Sequence, residues 1–348
     1  MPLVYETYKG VIMMSVVSKM EGIGMFAPWI RIIKGDNVQE QINVLMKALG
    51  IPLFAFIIFL GMWDAAAKSV VTSLGQVPGP AQVMTQAKGL WQEYQDDQLK
   101  EQKFYERQEI RNAKKLAANP DAKIKVREYR GRPTYIDQIF TSLITVFTGF
   151  FLAVVIAVPL GIAMGLSKTL NSAMNPIIQI FKPVSPLAWL PIVTMVVSAI
   201  YVSDDPFFEK SFVTSAITVM LCCMWPTLIN TSVGVSGISQ DLLNVSKVLS
   251  LNWVSKITKI ILPSSVPMIF TGMRMSLGVG WMVLIAAEML AQNPGLGKFV
   301  WDEFQNGSSN SLGRIMVAVL TIGIIGFILD WIMLSLQRKF SWDKSTAI

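Results

Sequence analysis

The chain has 348 residues, of which 52% are hydrophobic and 15% charged, with a mean hydropathy of +0.49 and a formal net charge of +7. Ordinary soluble domains carry about 25% charged residues, so this composition is typical of a membrane protein. The absence of histidine from the sequence excludes Ser-His-Asp and Cys-His nucleophile pairs, histidine metal ligands and histidine proton relays.

The chain begins with a mixed segment, residues 1–47, in which charges interrupt the apolar residues too often for a membrane span. We expect this segment to form an amphipathic helix on the cytoplasmic membrane surface. A cleavable signal sequence is not expected, because no apolar core followed by a small-x-small site is found at the start. The first predicted span covers residues 48–67, and a Val-Pro-Gly-Pro turn follows it at 77–80.

A strongly charged excursion, residues 93–132, lies within the long connection 68–135 between the first and second spans. It carries eleven Lys or Arg and eight Asp or Glu residues. Residues 92–118 lack Gly and Pro and are predicted to form a solvated helix. Either the excursion is a solvated segment without chemistry, or it is a docking surface for a soluble partner.

Long runs with few or no charges predict five further spans at 139–166, 183–202, 212–233, 266–290 and 315–336. The fold class is therefore an all-α, polytopic transmembrane bundle of six spans, with its main part at 136–340 and a short tail at 341–348. Lysines border the second-to-third and fourth-to-fifth connections, whereas the connection at 203–210 is acidic. By the positive-inside rule, both termini and the tail are expected in the cytoplasm and the excursion outside.

Two features predict where helices pack or break. Gly161 and Gly165 form a small-x3-small pair suited to close helix contact. Three prolines in the third predicted span indicate a broken helix, which at membrane depth is tolerated only against protein or an aqueous cavity. Ser185 and Trp189 are therefore candidates for the wall of a translocation pathway, with a simple packed kink as the alternative.

Arg274 and Glu288 are the charged residues of the fifth predicted span. They are about 21 Å apart along a helix and lie near one face, so both are expected to face protein or water. Arg274 either attracts an anion transiently in the translocation pathway or braces a neighbouring helix. For Glu288 we favour a structural or gating contact near the outer surface.

The connection 234–263 is too apolar for a solvated loop. Its apolar residues recur at every third or fourth position from Val245 to Ile261, which places them on one helical face. The apolar face of such a helix, if it lies outside the bilayer, must be buried against another surface. The membrane surface is one candidate, and a groove on a cytoplasmic partner is the other.

Within this connection, Asn244-Val-Ser-Lys-Val-Leu-Ser250, nine further residues and Ile260-Ile-Leu-Pro263 resemble the Glu-Ala-Ala-x3-Gly-x9-Ile-x-Leu-Pro loop of bacterial binding-protein-dependent ABC importer permeases. The end of the motif is in place, whereas its start differs, with Asn for the usual Glu and Ser for the usual Gly. In that family the loop forms short coupling helices that insert into a cleft on the ATPase subunit. The resemblance implies this role for Asn244, Val245, Ser246, Leu249, Ser250, Trp253, Ile260, Leu262 and Pro263.

Two other stretches of the sequence indicate which branch of these permeases the chain resembles. They are Lys182-Pro-Val-Ser-Pro-Leu-Ala-Trp-Leu-Pro191, and Gly280-Trp-Met-Val-Leu-Ile-Ala-Ala-Glu-Met-Leu290 followed by Pro294-Gly-Leu-Gly297. They resemble the nitrate/sulfonate/bicarbonate branch, and most of all its nitrate-type members. The resemblance implies a type I ABC importer permease (MetI-like) fold over 136–340, in a multi-pass subunit of the bacterial inner membrane. Implied partners are cytoplasmic ATP-binding subunits, an extracytoplasmic solute-binding protein, a second permease copy forming a homodimer, and membrane lipid; nucleic acid is not expected.

The function implied by the resemblance is ATP-driven import of a small anion, nitrate or nitrite first, with taurine or alkanesulfonate, bicarbonate and cyanate as alternatives. The sequence lacks a Gly-x4-Gly-Lys-Ser/Thr phosphate loop, so we expect a non-catalytic subunit that depends on a separate ATPase. No catalytic residue, metal ligand or cofactor is predicted. The alternative of another class is an ion-gradient-driven secondary transporter or channel, which buried ionisable pairs along several spans would favour.

Overall fold

The computed structural model describes residues 37–72, 75–119, 124, 126–202, 208–308 and 310–340. The predictions for 1–36, for the acidic stretch 203–207 and for the tail 341–348 therefore lie outside the described residues. The α-helices in the described part are α1 (Val38–Leu45), α2 (Ile51–Ser69), α3 (Pro80–Ala118), α4 (Tyr135–Leu166), α5 (Lys168–Phe181), α6 (Pro186–Ile200), α7 (Lys210–Ser236), α8 (Gln240–Val248), α9 (Trp253–Lys256), α10 (Leu262–Ala291), α11 (Leu296–Asn306) and α12 (Ser311–Phe340).

Shorter elements connect some of these helices. Single π-helical turns, Met46–Gly50 and Ile257–Ile261, make α1 continuous with α2 and α9 continuous with α10. Strands β1 (Val71–Thr72) and β2 (Gly75–Gln76) pair in an antiparallel hairpin. The described residues thus form an almost entirely helical protein, which confirms the predicted all-α class.

In the part of the chain that the structure describes, five helices are long and apolar enough to cross a membrane: Gln39–Ser69, Tyr135–Leu166, Lys210–Ser236, Trp253–Ala291 and Ser311–Phe340. Helices α5 and α6 meet the same criterion only as a pair, and the pair is bent by 100°. The six predicted spans therefore correspond to five long helices and one bent pair. The third span differs from the prediction because α6 has only 15 residues, about 22 Å, which is shorter than the hydrocarbon core of about 30 Å.

The described residues up to Pro80 form one compact unit, and the described residues from Ala81 onwards form a second unit. In the first unit, the helix starts at Val38, before the predicted span start at residue 48. Its apolar side chains, such as Phe54 and Ile57, are exposed, as expected for side chains that face lipid. Asp64 accepts a hydrogen bond from Lys68 one turn later, at 2.6 Å.

In the second unit, α7 packs between α4 and α10. The contact with α4 is close because glycines line it: a Cβ added to Gly161 or to Gly165 would lie 2.8 Å from a backbone carbonyl oxygen of α7. The prediction of close packing at these two glycines is confirmed. Trp225 and Leu228 of α7 pack with Ala157 of α4 in the adjoining apolar core.

The charged excursion is folded. Helix α3 has 39 residues, starts before the predicted position 92 and ends at Ala118 as predicted. Gln108 is buried and exchanges two hydrogen bonds with the backbone of Arg127, at 2.8 and 3.1 Å, so the return segment lies along α3. Tyr129 Oη donates to Asp97 at 2.8 Å, and this hydrogen bond raises the pKa of the phenol. Within the described residues, the excursion therefore consists of the end of α3, as the predicted helix, and an extended return segment, residues 126–134.

Candidate functional site

The residues predicted to contact an ATPase, 244–263, lie within the segment 240–263 (the coupling segment), which begins with two short helices joined by a turn. Ser250 lies in this turn with a φ of 47°, a left-handed conformation that favours glycine. The Asn252 side chain then accepts a hydrogen bond from the backbone N–H of Ser255 at 2.8 Å and caps α9. The single amphipathic helix predicted from the spacing is interrupted here, because the turn redirects the chain.

The coupling segment exposes large apolar side chains that nothing in the described chain covers. Val248 is 83% exposed, Val254 66% and Trp253 60%, whereas Ile261 is fully buried against residues that end α7. Of the other residues predicted here, Asn244, Val245, Leu249, Ser250, Leu262 and Pro263 are exposed, Ile260 is half-buried and Ser246 is buried. An apolar surface of this kind on a connection between spans is typical of a protein contact.

At the opposite end of α10, a buried polar cluster joins three helices; we call it the Glu288 node. Glu288 has no exposed surface, and its carboxylate accepts hydrogen bonds from Ser142 Oγ of α4 at 2.8 Å and from Gly297 N at 3.0 Å. Ser142 Oγ in turn accepts from Leu296 N at 2.9 Å. The N–H groups at the start of α11, which have no partner within the helix, are thus bound by a carboxylate and a hydroxyl. The negative charge of a carboxylate at this position is also favourable, because the N-terminus is the positive end of the helix dipole.

Two glycines make the Glu288 node possible. A Cβ on Gly295 would overlap the Glu288 carboxylate, and a Cβ on Gly297 would overlap the carbonyl of Ile285. The backbone of the Pro-Gly-Leu-Gly stretch therefore approaches α10 more closely than a side chain would permit. This stretch, which the sequence resemblance singled out, serves here to attach α11 to α10 and α4.

Arg274, near the middle of α10, is engaged in a bidentate ion pair with α12. Its Nε and Nη2 donate to the two carboxylate oxygens of Asp330 at 2.5 and 2.7 Å. Close by, Gln337 donates to Thr271 Oγ1 at 3.0 Å. The two side chains of the ion pair are about one third and one half exposed, so the guanidinium is oriented by its partner while remaining accessible.

Ser185 and Trp189 lie at the bend between α5 and α6. Ser185 Oγ accepts a hydrogen bond from Leu187 N at 3.3 Å and caps α6. The ring of Trp189 contacts Phe181 at a centroid distance of 5.7 Å, and Phe181 stacks on Trp225 of α7 at 6.4 Å. The bend is thus supported by a cap and by an aromatic stack that reaches the centre of the bundle.

The structure distributes the four predicted pathway residues over three places rather than one cavity. Sequence reasoning missed the two residues that explain this distribution, Ser142 and Asp330. Asp330 was detectable as an isolated carboxylate within an apolar run, because such a charge needs a partner at membrane depth. Ser142 gave no signal, since serine is common in membrane helices. Among the described residues, no group of three or more Asp, Glu or Cys side chains is placed to hold a metal ion.

Comparison with known proteins gives consistent matches over the membrane part. A family described as "Binding-protein-dependent transport system inner membrane component" matches residues 157–342. The nitrate import permease protein NrtB of Synechococcus elongatus is 35% identical over 205 residues, 59% of this chain and 67% of that protein. The bicarbonate transport system permease protein CmpB of the same organism is 35% identical over 202 residues, 58% of this chain and 68% of that protein. A solved inward-facing structure of the MetNI methionine ABC transporter has a TM-score of 0.51 at 12% identity, over 59% of this chain and 95% of that one, and shows the fold alone.

Proposed function

The chain belongs to the family of binding-protein-dependent transport system inner membrane components, and we propose that it carries nitrate or nitrite into the cytoplasm as the permease subunit of an ABC importer. Subunits of this family are multi-pass inner-membrane proteins that do not hydrolyse ATP themselves, because a separate ATPase does so. The 35% identity to a nitrate permease supports nitrate as the solute. Bicarbonate is the second candidate, because a bicarbonate permease is equally similar. Taurine, alkanesulfonates and cyanate are the further alternatives.

We also propose that the coupling segment inserts into the ATPase. The exposed side chains of Val248, Trp253 and Val254 support this role, since burial of such surface in a partner groove is favourable. Replacing Trp253 by Asp is expected to abolish co-purification of the ATPase and uptake. Ser172→Asp, which places the same charge at an exposed position of α5 outside the coupling segment, is the matched control. Full association of the Trp253→Asp variant would contradict the assignment.

The proposed orientation places both termini and the coupling segment in the cytoplasm and α3 outside. Arg338 and Lys339 in the last turn of α12 support it, because basic residues accumulate on the cytoplasmic side. We further propose that two copies of the chain surround a central pathway. The domain boundaries expected from the sequence, at 1–47, 48–67, 68–135, 136–340 and 341–348, belong to this same proposal.

For the pathway itself, the bend between α5 and α6 is the strongest candidate wall. Ser185 and Trp189 lie at this bend, and irregular backbone at membrane depth is tolerated beside an aqueous cavity. The indole N–H groups of Trp189 and Trp225 are buried and have no hydrogen-bond partner within the described residues. We assign Arg274 and Glu288 to helix attachment, because each is already hydrogen-bonded to another helix.

The decisive experiment is reconstitution of the chain in nanodiscs with its ATPase and solute-binding protein. Nitrate is expected to stimulate ATP hydrolysis, and bicarbonate, cyanate and taurine are not. Stimulation by one of those solutes and not by nitrate would refute the proposed solute. Uptake that persisted in vesicles lacking ATP and the ATPase would support an ion-gradient-driven transporter instead.

A further inference from the structure

A polar cavity opens between α3, the start of α4 and α11; we call it the α3–α11 cavity. Its volume is about 640 Å³. Asp96 and Lys100 of α3 line one wall, Arg132 of the return segment lines a second, and Lys298 and Phe299 of α11 line a third. The cavity is large enough to receive several side chains of a partner.

The walls of the α3–α11 cavity are held in place by contacts of their own. Arg314 at the start of α12 binds Glu93 of α3 and, at 3.1 Å, Glu303 of α11, so one guanidinium joins three helices. Leu90 of α3 is buried beside this ion-pair network. Behind the opening, the rings of Tyr135 and Phe299 pack with centroids 4.8 Å apart. The cavity is therefore formed before any partner arrives, which reduces the entropy lost on binding.

The charges of the cavity indicate what it accepts. Lys298 is paired with Asp302 at 2.6 Å, whereas Asp96, Lys100 and Arg132 form no ion pair within the described chain. Five carboxylates and four cationic side chains line the cavity, so a small anion would gain little there. A protein loop that presents a basic side chain to Asp96 and an acidic one to Lys100 and Arg132 matches the pattern.

The position of the cavity indicates which partner binds there. Helix α10 leaves the coupling segment and ends, about 45 Å further on, beside the cavity. The ATPase occupies the coupling end, so the partner at this end is the soluble solute-binding protein on which the family depends. Helix α3 and Arg132 precede the region that matches the family, which begins at residue 157. The two walls formed by α3 and Arg132 therefore lie outside the part shared with the family, and they suit a partner that is specific to this importer.

We propose that the α3–α11 cavity is the docking site for a loop of the extracytoplasmic solute-binding protein, a loop that bears both an acidic and a basic side chain. The inference rests on the proposed function as an importer permease. Helix α11, which forms one wall, is attached to α10 through the Glu288 node, and α10 is continuous with α9 of the coupling segment. A loop seated in the cavity would thus touch a helix that is linked to the ATPase contact.

The test exchanges charges without changing the net charge. In the complete complex with its ATPase, the double variant Asp96→Lys/Lys100→Glu reverses the pattern of the cavity wall. Lys103→Glu/Glu106→Lys makes the same exchange on the part of α3 outside the cavity. Binding of the solute-loaded binding protein to nanodiscs is measured, together with basal and stimulated ATP hydrolysis.

The cavity variant is expected to weaken binding about tenfold or more and to lose stimulation while keeping basal hydrolysis, and the control is expected to match the wild type. Arg132→Glu should weaken binding in the same direction. Wild-type binding and stimulation by the cavity variants would overturn the docking site and leave the importer function intact. Failure of any solute-binding protein to stimulate the wild-type complex would overturn both proposals.

Discussion

The Glu288 node should weaken measurably when Ser142 is replaced by Ala. The substitution removes the hydroxyl that donates to the Glu288 carboxylate and that accepts from Leu296 N. Each of these two hydrogen bonds contributes about 1–2 kcal/mol, because the groups are buried and no water replaces the lost partner. We expect the start of α11 to open more easily by about 2–4 kcal/mol, with the rest of the bundle unchanged.

Hydrogen–deuterium exchange of the protein in nanodiscs measures this local opening. Since about 1.4 kcal/mol corresponds to a factor of ten, amides of the peptide 293–299 should exchange about 30-fold to 1000-fold faster in Ser142→Ala. Thr148→Ala is the matched control, because Thr148 lies on the same helix and bonds only to the carbonyl of Ile144 one turn earlier. Equal exchange of 293–299 in the Ser142→Ala variant and the wild type would show that the hydroxyl does not hold α11.

Three further predictions test other parts of the structure. Gly161→Ala should destabilise the bundle by about 1–3 kcal/mol, because the added Cβ would clash with α7. Gly278→Ala is the control and should stabilise α10 by up to about 1 kcal/mol, because no described atom lies within 4 Å of the added Cβ. Thermal unfolding in detergent measures the two changes and their opposite signs. Arg274→Ala and Asp330→Ala should each lower stability by about 1–3 kcal/mol, because the remaining charge loses its partner within a membrane-spanning helix, and both should leave the KM for the anion unchanged; a raised KM for Arg274→Ala alone would show that Arg274 attracts the solute. Ser250→Gly should stabilise the turn of the coupling segment by about 1 kcal/mol and slow its proteolysis, because it relieves a left-handed serine; faster cleavage would contradict this.

The sequence predicted the number of spans well because hydropathy and charge directly report transfer into the membrane. It was less accurate where tertiary contacts decide the outcome. Helix α3 starts at Pro80, and near its start Gln86 donates a hydrogen bond to Asn310 at 3.1 Å, a contact that composition alone does not contain. The prolines predicted that the third span is broken between α5 and α6, but they did not predict the angle of 100° between these two helices.

The sequence predicted individual residues of the candidate site, but it did not predict which residues they bind in the fold. The departure from the family motif at Ser250 has a structural counterpart, because this position adopts the backbone conformation for which the usual glycine is suited. The partners of Glu288 and Arg274 come from α4, α11 and α12, which are distant in sequence. Such pairs depend on helix register and rotation, which no local pattern specifies.

The close seam between α4 and α7 has a consequence for synthesis of the chain. About 70 residues separate the end of α4 from the end of α7, so at 5–20 residues per second the ribosome needs about 4–14 s to complete the second helix after the first. During that interval Gly149, Gly161 and Gly165 present a groove to lipid or to the insertion machinery, with no helix to fill it. A substitution that enlarges one of these glycines would therefore act as an assembly defect, visible as degradation of the nascent protein before any loss of transport is measured.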